Sequence, residues 1–136
     1  MFWSILLDYS ETDINIALGI SFMSHNILDE ALLISYVNDL NKDIVKQMIE
    51  LYVQQSQIYF NDMNKAVIEQ SNALWQEHCH KMKGAAGSVG LKQLHTYLAE
   101  VEKSRASSVD KTAIMAQISQ LNTLGVTAFN SWLNTV

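Results

Sequence analysis

The chain has no proline, one cysteine and only five glycines in 136 residues. With no proline to lock φ or remove a backbone donor, nothing interrupts long helices. The lone Cys79 excludes an internal disulfide and any cysteine-rich zinc site, so a reducing, cytoplasmic setting is expected. Positive charge is scarce as well: nine Lys and Arg against fourteen Asp and Glu leave a net charge of −5. That balance argues against a nucleic-acid partner, which needs a broad basic face. No apolar run approaches the roughly 20 residues that span a bilayer, so no direct membrane insertion is expected. The opening MFWSILLDYSETD has no basic region ahead of its apolar start and meets acids early, which does not read as a signal peptide.

What is present is a globular composition, 49% hydrophobic and 17% charged, in a chain long enough for one domain with its own core. Apolar periodicity predicts five helices from residue 28 onward. The first is short, with Leu28, Ala31, Leu32, Tyr36 and Leu40 on its inner side. Asn41 or Asp43 caps the second, which runs to about Gln70 and offers two apolar rows. One row holds Ile44, Met48, Leu51 and Ile58; the other holds Val45, Ile49, Tyr52, Tyr59, Met63 and Val67. Ser71 is a good N-cap for the third helix, which Gly90 ends. The fourth buries Leu91, Leu94, Leu98 and Val101. After the loop SRASSVD, with Ser107 or Ser108 as cap, the fifth buries Ile114, Ile118, Leu121, Ala128 and Trp132. Long helices on short connections predict an all-α fold: an antiparallel up-down four-helix bundle, with the short additional N-terminal helix covering one end. The bundle spans 27–136, and residues 1–26 read as an N-terminal extension or linker holding Trp3 and His25.

Chemistry concentrates in HCHKMKGAAGSVG, residues 78 to 90, which holds three of the five glycines beside two histidines and two lysines. At about 100° per residue, Trp75, Cys79, Met82 and Ala86 form one apolar stripe, the core face of the third helix. His80 then lies about 130° from that stripe, facing solvent, with Gln76, Lys83, Gly84 and Gly87 one or two turns away. His78 lies about 70° to the other side and reads as a half-buried structural residue. Two histidines at i and i+2 diverge by about 200° and cannot chelate one ion, so no metal site is expected. Glycine at 84 costs roughly 1 kcal/mol against alanine on an exposed helix, and it leaves a hollow beside the ring. A solvated imidazole, a cation one turn on and a gap beside them suit a group that receives a phosphoryl, because a neutral imidazole is a nucleophile near neutral pH. His95 has no neighbour in the sequence that suggests chemistry. The three glycines do not read as a nucleotide loop, since no strand precedes them.

The run HKMKGAAGSVGL resembles the signature of histidine-containing phosphotransfer (HPt) domains: His, two residues, Lys-Gly, then a later Gly. His80, Lys83, Gly84 and Gly90 fall on those positions. KGAAGSVGL is especially similar to the HPt modules that end hybrid sensor kinases of the anaerobic-redox-control and trimethylamine-oxide-respiration types. The resemblance covers roughly residues 28 to 135 and leaves the extension unaccounted for. Cys79 stands where such domains often have a smaller residue. The resemblance implies His80 as phosphoacceptor, Lys83 as charge neutraliser and Gly84 as the opening for a receiver. Gln76, Lys81, Gly87 and Gly90 border the contact. It implies partners that are response-regulator receiver domains, with an upstream sensor kinase possible in the same polypeptide. It implies no cofactor on this chain, the Mg²⁺ belonging to the receiver, and no kinase activity of its own. The alternative is a bundle that binds receivers or other signalling domains without phosphotransfer.

Overall fold

The computed structural model describes residues 26–104 and 108–136, and every regular element among them is helical. The helices are α1 (Glu30–Leu40), α2 (Lys42–Ile68), α3 (Asn72–Ser88), α4 (Lys92–Val101) and α5 (Ser108–Leu133). The extension 1–26, apart from Asn26, lies outside the described residues, as do Trp3, His25 and the candidate cap Ser107.

Local chemistry sets the ends of the elements. The Asp29 side chain accepts from Leu32 N at 3.1 Å and starts α1. Asn41, with φ at 98°, both ends α1 and starts α2 by accepting from Ile44 N at 3.0 Å. Ser71 accepts from Leu74 N and starts α3. Two tight reversals join α2 to α3 and α3 to α4. In each, a residue at positive φ closes a six-to-one bond, Ser71 N to Ala66 O after Gln70 and Leu91 N to Ala86 O after Gly90, both 2.9 Å.

These short reversals make α2, α3 and α4 antiparallel neighbours, and α5 closes the ring against α4 and α2. Lys42 Nζ donates to Val136 O, and the Tyr52 hydroxyl donates to Asn122 Oδ1 at 2.6 Å, so α2 and α5 run in opposite directions. The fold is therefore a four-helix bundle with an added helix. α1 crosses the end where α2 begins and α3 stops. Leu33 fills the space over Gly90, Asp29 N donates to Gly90 O at 2.8 Å, and the Tyr36 hydroxyl donates to Ser88 O at 2.9 Å. Trp75, Phe129, Leu28, Leu33, Ile49, Met63, Met82, Leu91, Leu94, Leu98, Ile118 and Val45 form the sealed centre of the core.

Three expected core faces need correction. On α2 the row Val45, Ile49, Tyr52 and Met63 is buried, but Ile44, Leu51 and Ile58 are exposed, Leu51 at 65%. A helix on the rim of a four-membered ring turns one stripe inward, and no described element covers the second row. On α1, Leu33 is buried while Ala31 and Leu40 are exposed. Leu28 precedes the helix, so counting from it put the face out of phase. On α5, Met115, Phe129 and Leu133 join Ile118 and Trp132 in the core, while Ile114, Leu121 and Ala128 are only partly buried.

Gly90 has no room for a side chain and a backbone conformation that disfavours one. Its φ is +73°, and an added Cβ would stand 2.9 Å from Leu33 Cδ2, inside a sealed cluster. Gly90→Ala is therefore expected to destabilise by about 2 kcal/mol, from left-handed strain plus overpacking. Urea unfolding of the two proteins measures it, and an unchanged midpoint would refute it.

Candidate functional site

Rotation of α3 is set by its core stripe. Trp75, Cys79, Met82 and Ala86 are all fully buried, which leaves the His80 side chain 70% exposed on the opposite side. His78 turns toward α2 and is largely covered. Its Nδ1 lies 3.9 Å from Asp62 Oδ2, beyond hydrogen-bonding distance, and has no other partner. The two histidines thus face different neighbours. Among the described residues no group of three or more His, Cys, Asp or Glu converges.

His80 meets the far end of α4. Glu102, the residue that terminates α4, donates its backbone N–H to Leu98 O and turns a carboxylate with only 12% exposure back onto α3. Its Oε1 lies 2.5 Å from His80 Nδ1, and its Oε2 accepts from Lys83 Nζ at 2.9 Å. One carboxylate therefore holds both residues. Because an ionised carboxylate only accepts, the proton sits on His80 Nδ1, and in the neutral ring the lone pair is on Nε2. The hydrogen bond from Lys83 holds the Glu102 carboxyl below the usual carboxylate range. The bond from His80 adds to this, and burial opposes it.

Around this trio the expected site residues separate by role. Lys83 is mostly covered, and its carbonyl lies 3.0 Å from His95 Nδ1. The His95 ring rests on Gly87, where a Cβ would come within 2.9 Å of Nδ1, so this glycine lets α4 approach α3. Gly84 differs: a Cβ there would meet nothing within 4 Å. It opens onto a surface depression of about 480 Å³ bordered by Ser88, Lys92 and His95, to which the buried Gly90 contributes only floor. Gln76 is half-buried one turn before His80, and Lys81 is exposed in a pair with Glu77 at 3.6 Å. Burial pushes the Cys79 thiol up to about 12, with Glu102 adding to the rise and Lys83 opposing it, so it is a neutral core group.

Sequence reading missed Glu102 and undervalued His95. In LAEVEK nothing local separates Glu102 from Glu100, and the contact spans 22 residues of chain. His95 acquires its role only because α4 folds back on Lys83.

The family model for the Hpt domain matches residues 47–125, a span that holds His80, Lys83, Gly84 and Glu102. The histidine-containing phosphotransfer domain of ArcB from Escherichia coli is similar in structure, with a TM-score of 0.73 at 19% identity, over 83% of this chain and 98% of that one. No curated protein matches the chain significantly in sequence. No described helix is long and apolar enough to cross a membrane.

Glu102 has a definite linkage sign. Its folded value is depressed, so its contribution to stability is complete above the unfolded carboxylate value and is lost as pH falls through the folded one. Urea unfolding at stepped pH is expected to show Glu102→Gln less stable than wild type at neutral pH, with the gap closing on acidification. A gap that stays constant with pH would contradict this assignment.

Proposed function

The chain belongs to the Hpt domain family, and from that premise we propose that it is a phosphoryl carrier of a multistep phosphorelay, taking a phosphoryl group from a receiver aspartate onto His80 Nε2 and handing it to another receiver. The observation that supports this reading best is the pairing of an exposed His80 with a nearly covered carboxylate on its Nδ1.

The consequences follow from the ring. The Nε2 lone pair attacks the phosphorus of the aspartyl phosphate, the bond from phosphorus to the aspartate oxygen breaks, and that carboxylate leaves with the electron pair. The ring becomes a phosphoimidazolium whose Nδ1 proton stays in place, hydrogen-bonded to Glu102. In the onward step an aspartate oxygen of the next receiver attacks phosphorus, the N–P bond breaks and imidazole departs neutral, its Nδ1 proton still present, which is easier than expelling an imidazolate. Glu102 acts here as a positioning residue that fixes the tautomer and the ring plane. Lys83, one turn from His80 on the same carboxylate, is placed to share its charge with the incoming phosphoryl. The Mg²⁺ that assists such transfer is expected on the receiver.

The partner surface follows the same logic. Gly84 leaves room for a receiver to close on His80, and Gln76 and Gly87 border the approach. Lys81 is held by an exposed pair of little strength, so it can turn to an acidic receiver pocket. A cytoplasmic location fits these partners. The surface serves equally a free-standing carrier or one tethered to a sensor kinase.

Phosphorylated receiver domains carrying a radiolabel test the proposal directly. Wild type and His78→Gln are expected to acquire an acid-labile, alkali-stable label, and His80→Gln none. Wild type that binds a receiver yet stays unlabelled across a panel would make the chain an interaction module. Gly84→Gln is expected to fold normally, its side chain entering open space, but to slow transfer by roughly tenfold or more by displacing the receiver. Equal rates for that variant would show that the receiver does not approach over Gly84.

A further inference from the structure

We propose that Lys111, a lysine of α5 remote from the phosphoacceptor, is a positioning residue for phosphoryl transfer, because its ammonium pins the turn that carries Glu102 to the helix that carries His80.

Lys111 is 2% exposed. A buried ammonium is held only where its N–H groups find acceptors, so the atoms around it are constrained by its demands. Its Nζ donates to Asn72 Oδ1 and, at 3.1 Å, to Ser104 O. It also lies 4.8 Å from the centroid of the Trp75 ring, a distance at which the π face attracts a cation. The indole N–H and the ammonium are both donors, so the contact between Trp75 and Lys111 is with the ring face.

These partners belong to two parts of the site. Asn72 and Trp75 occupy the first turn of α3, the continuous helix that presents His80 and Lys83 further along. Ser104 ends the turn that follows α4: its N–H donates to Val101 O at 2.8 Å, and within that turn Glu102 donates to Leu98 O at 2.9 Å. The ammonium holding Ser104 O thus fixes the far side of a turn whose near side is the last bond of α4. Glu102 lies between them. Its carboxylate must keep bonding distance to both His80 and Lys83, and Lys111 sets that distance by anchoring α3 and the turn to one charge. The chain of contact is continuous: α3 to Asn72 and Trp75, to Lys111, to Ser104, to Glu102, and back to α3 through His80.

The inference builds on the phosphotransfer reading of His80, but its first readout does not. The experiment is nitrogen-15 NMR of the imidazoles in the full chain at mildly alkaline pH, for wild type, Lys111→Met, Lys111→Arg and Asn72→Ala, with circular dichroism to confirm folding and labelled receivers to measure transfer. Wild type is expected to show His80 in the Nδ1–H form alone. Lys111→Met is expected to show a mixture of both neutral tautomers at His80 and transfer slowed by roughly tenfold, a typical cost of a misplaced group. Lys111→Arg is expected to restore most of both. A folded Lys111→Met protein that keeps a pure Nδ1–H tautomer overturns the proposal, even if its thermal midpoint falls, because lost stability alone is a structural effect. If Lys111→Met does not fold, Asn72→Ala decides by the same readout. A shifted tautomer in a chain whose wild type accepts no phosphoryl supports the pin and defeats the phosphorelay reading. Normal labelling with an unmoved tautomer does the reverse.

Discussion

Burial of Trp75, Cys79, Met82 and Ala86 along one stripe of α3 fixes the rotation of that helix, and every other side chain of α3 then has its direction decided. A helix cannot turn about its axis without bringing these groups into water, at about 1.5–3 kcal/mol for each large one. His80 is outside because Cys79 and Met82 are inside. Lys83 and Gly87 fall on the flank that meets α4, and His78 on the flank that meets α2. The neutral thiol of Cys79 contributes to this as a small buried hydrophobe, with no chemistry required of it.

The three clustered glycines solve three separate problems. Gly90 supplies a left-handed turn and a flat surface for Leu33, closing the end of the bundle under α1. Gly87 lets the His95 ring sit against α3, so α4 comes near enough to place its terminus beside His80. Gly84 meets nothing and serves only the outside. Stability explains the first two. The third weakens an exposed helix without improving any internal contact, which is why it points to a partner.

Electrostatics at the site are local, within a chain of net charge −5. One nearly covered carboxylate balances an exposed imidazole and a mostly covered ammonium, so the site carries little excess charge. Lys111, away from His80, faces inward and meets the Asn72 amide, the Ser104 carbonyl and the Trp75 ring. Two lysines of one small domain thereby sit in different surroundings, one on the carboxylate that His80 shares and one buried between α3 and the turn after α4.

The helix boundaries at Asn41, Ser71 and Gly90, the buried stripe of α3 and the exposed side of that helix where His80 stands were legible in the sequence because each rests on interactions within a few residues: caps, turns and periodicity. What tertiary structure alone decided depends on which elements meet. Nothing in the α2 sequence tells the row of Val45 from the row of Ile44, since both are apolar and only the position of α2 in the ring selects one. Glu102 and Lys111 look like ordinary surface charges in their own segments. They become the anchor of the imidazole and the pin beneath it because packing in the bundle brings the ends of α3, α4 and α5 together, and long-range contacts of that kind leave no local trace.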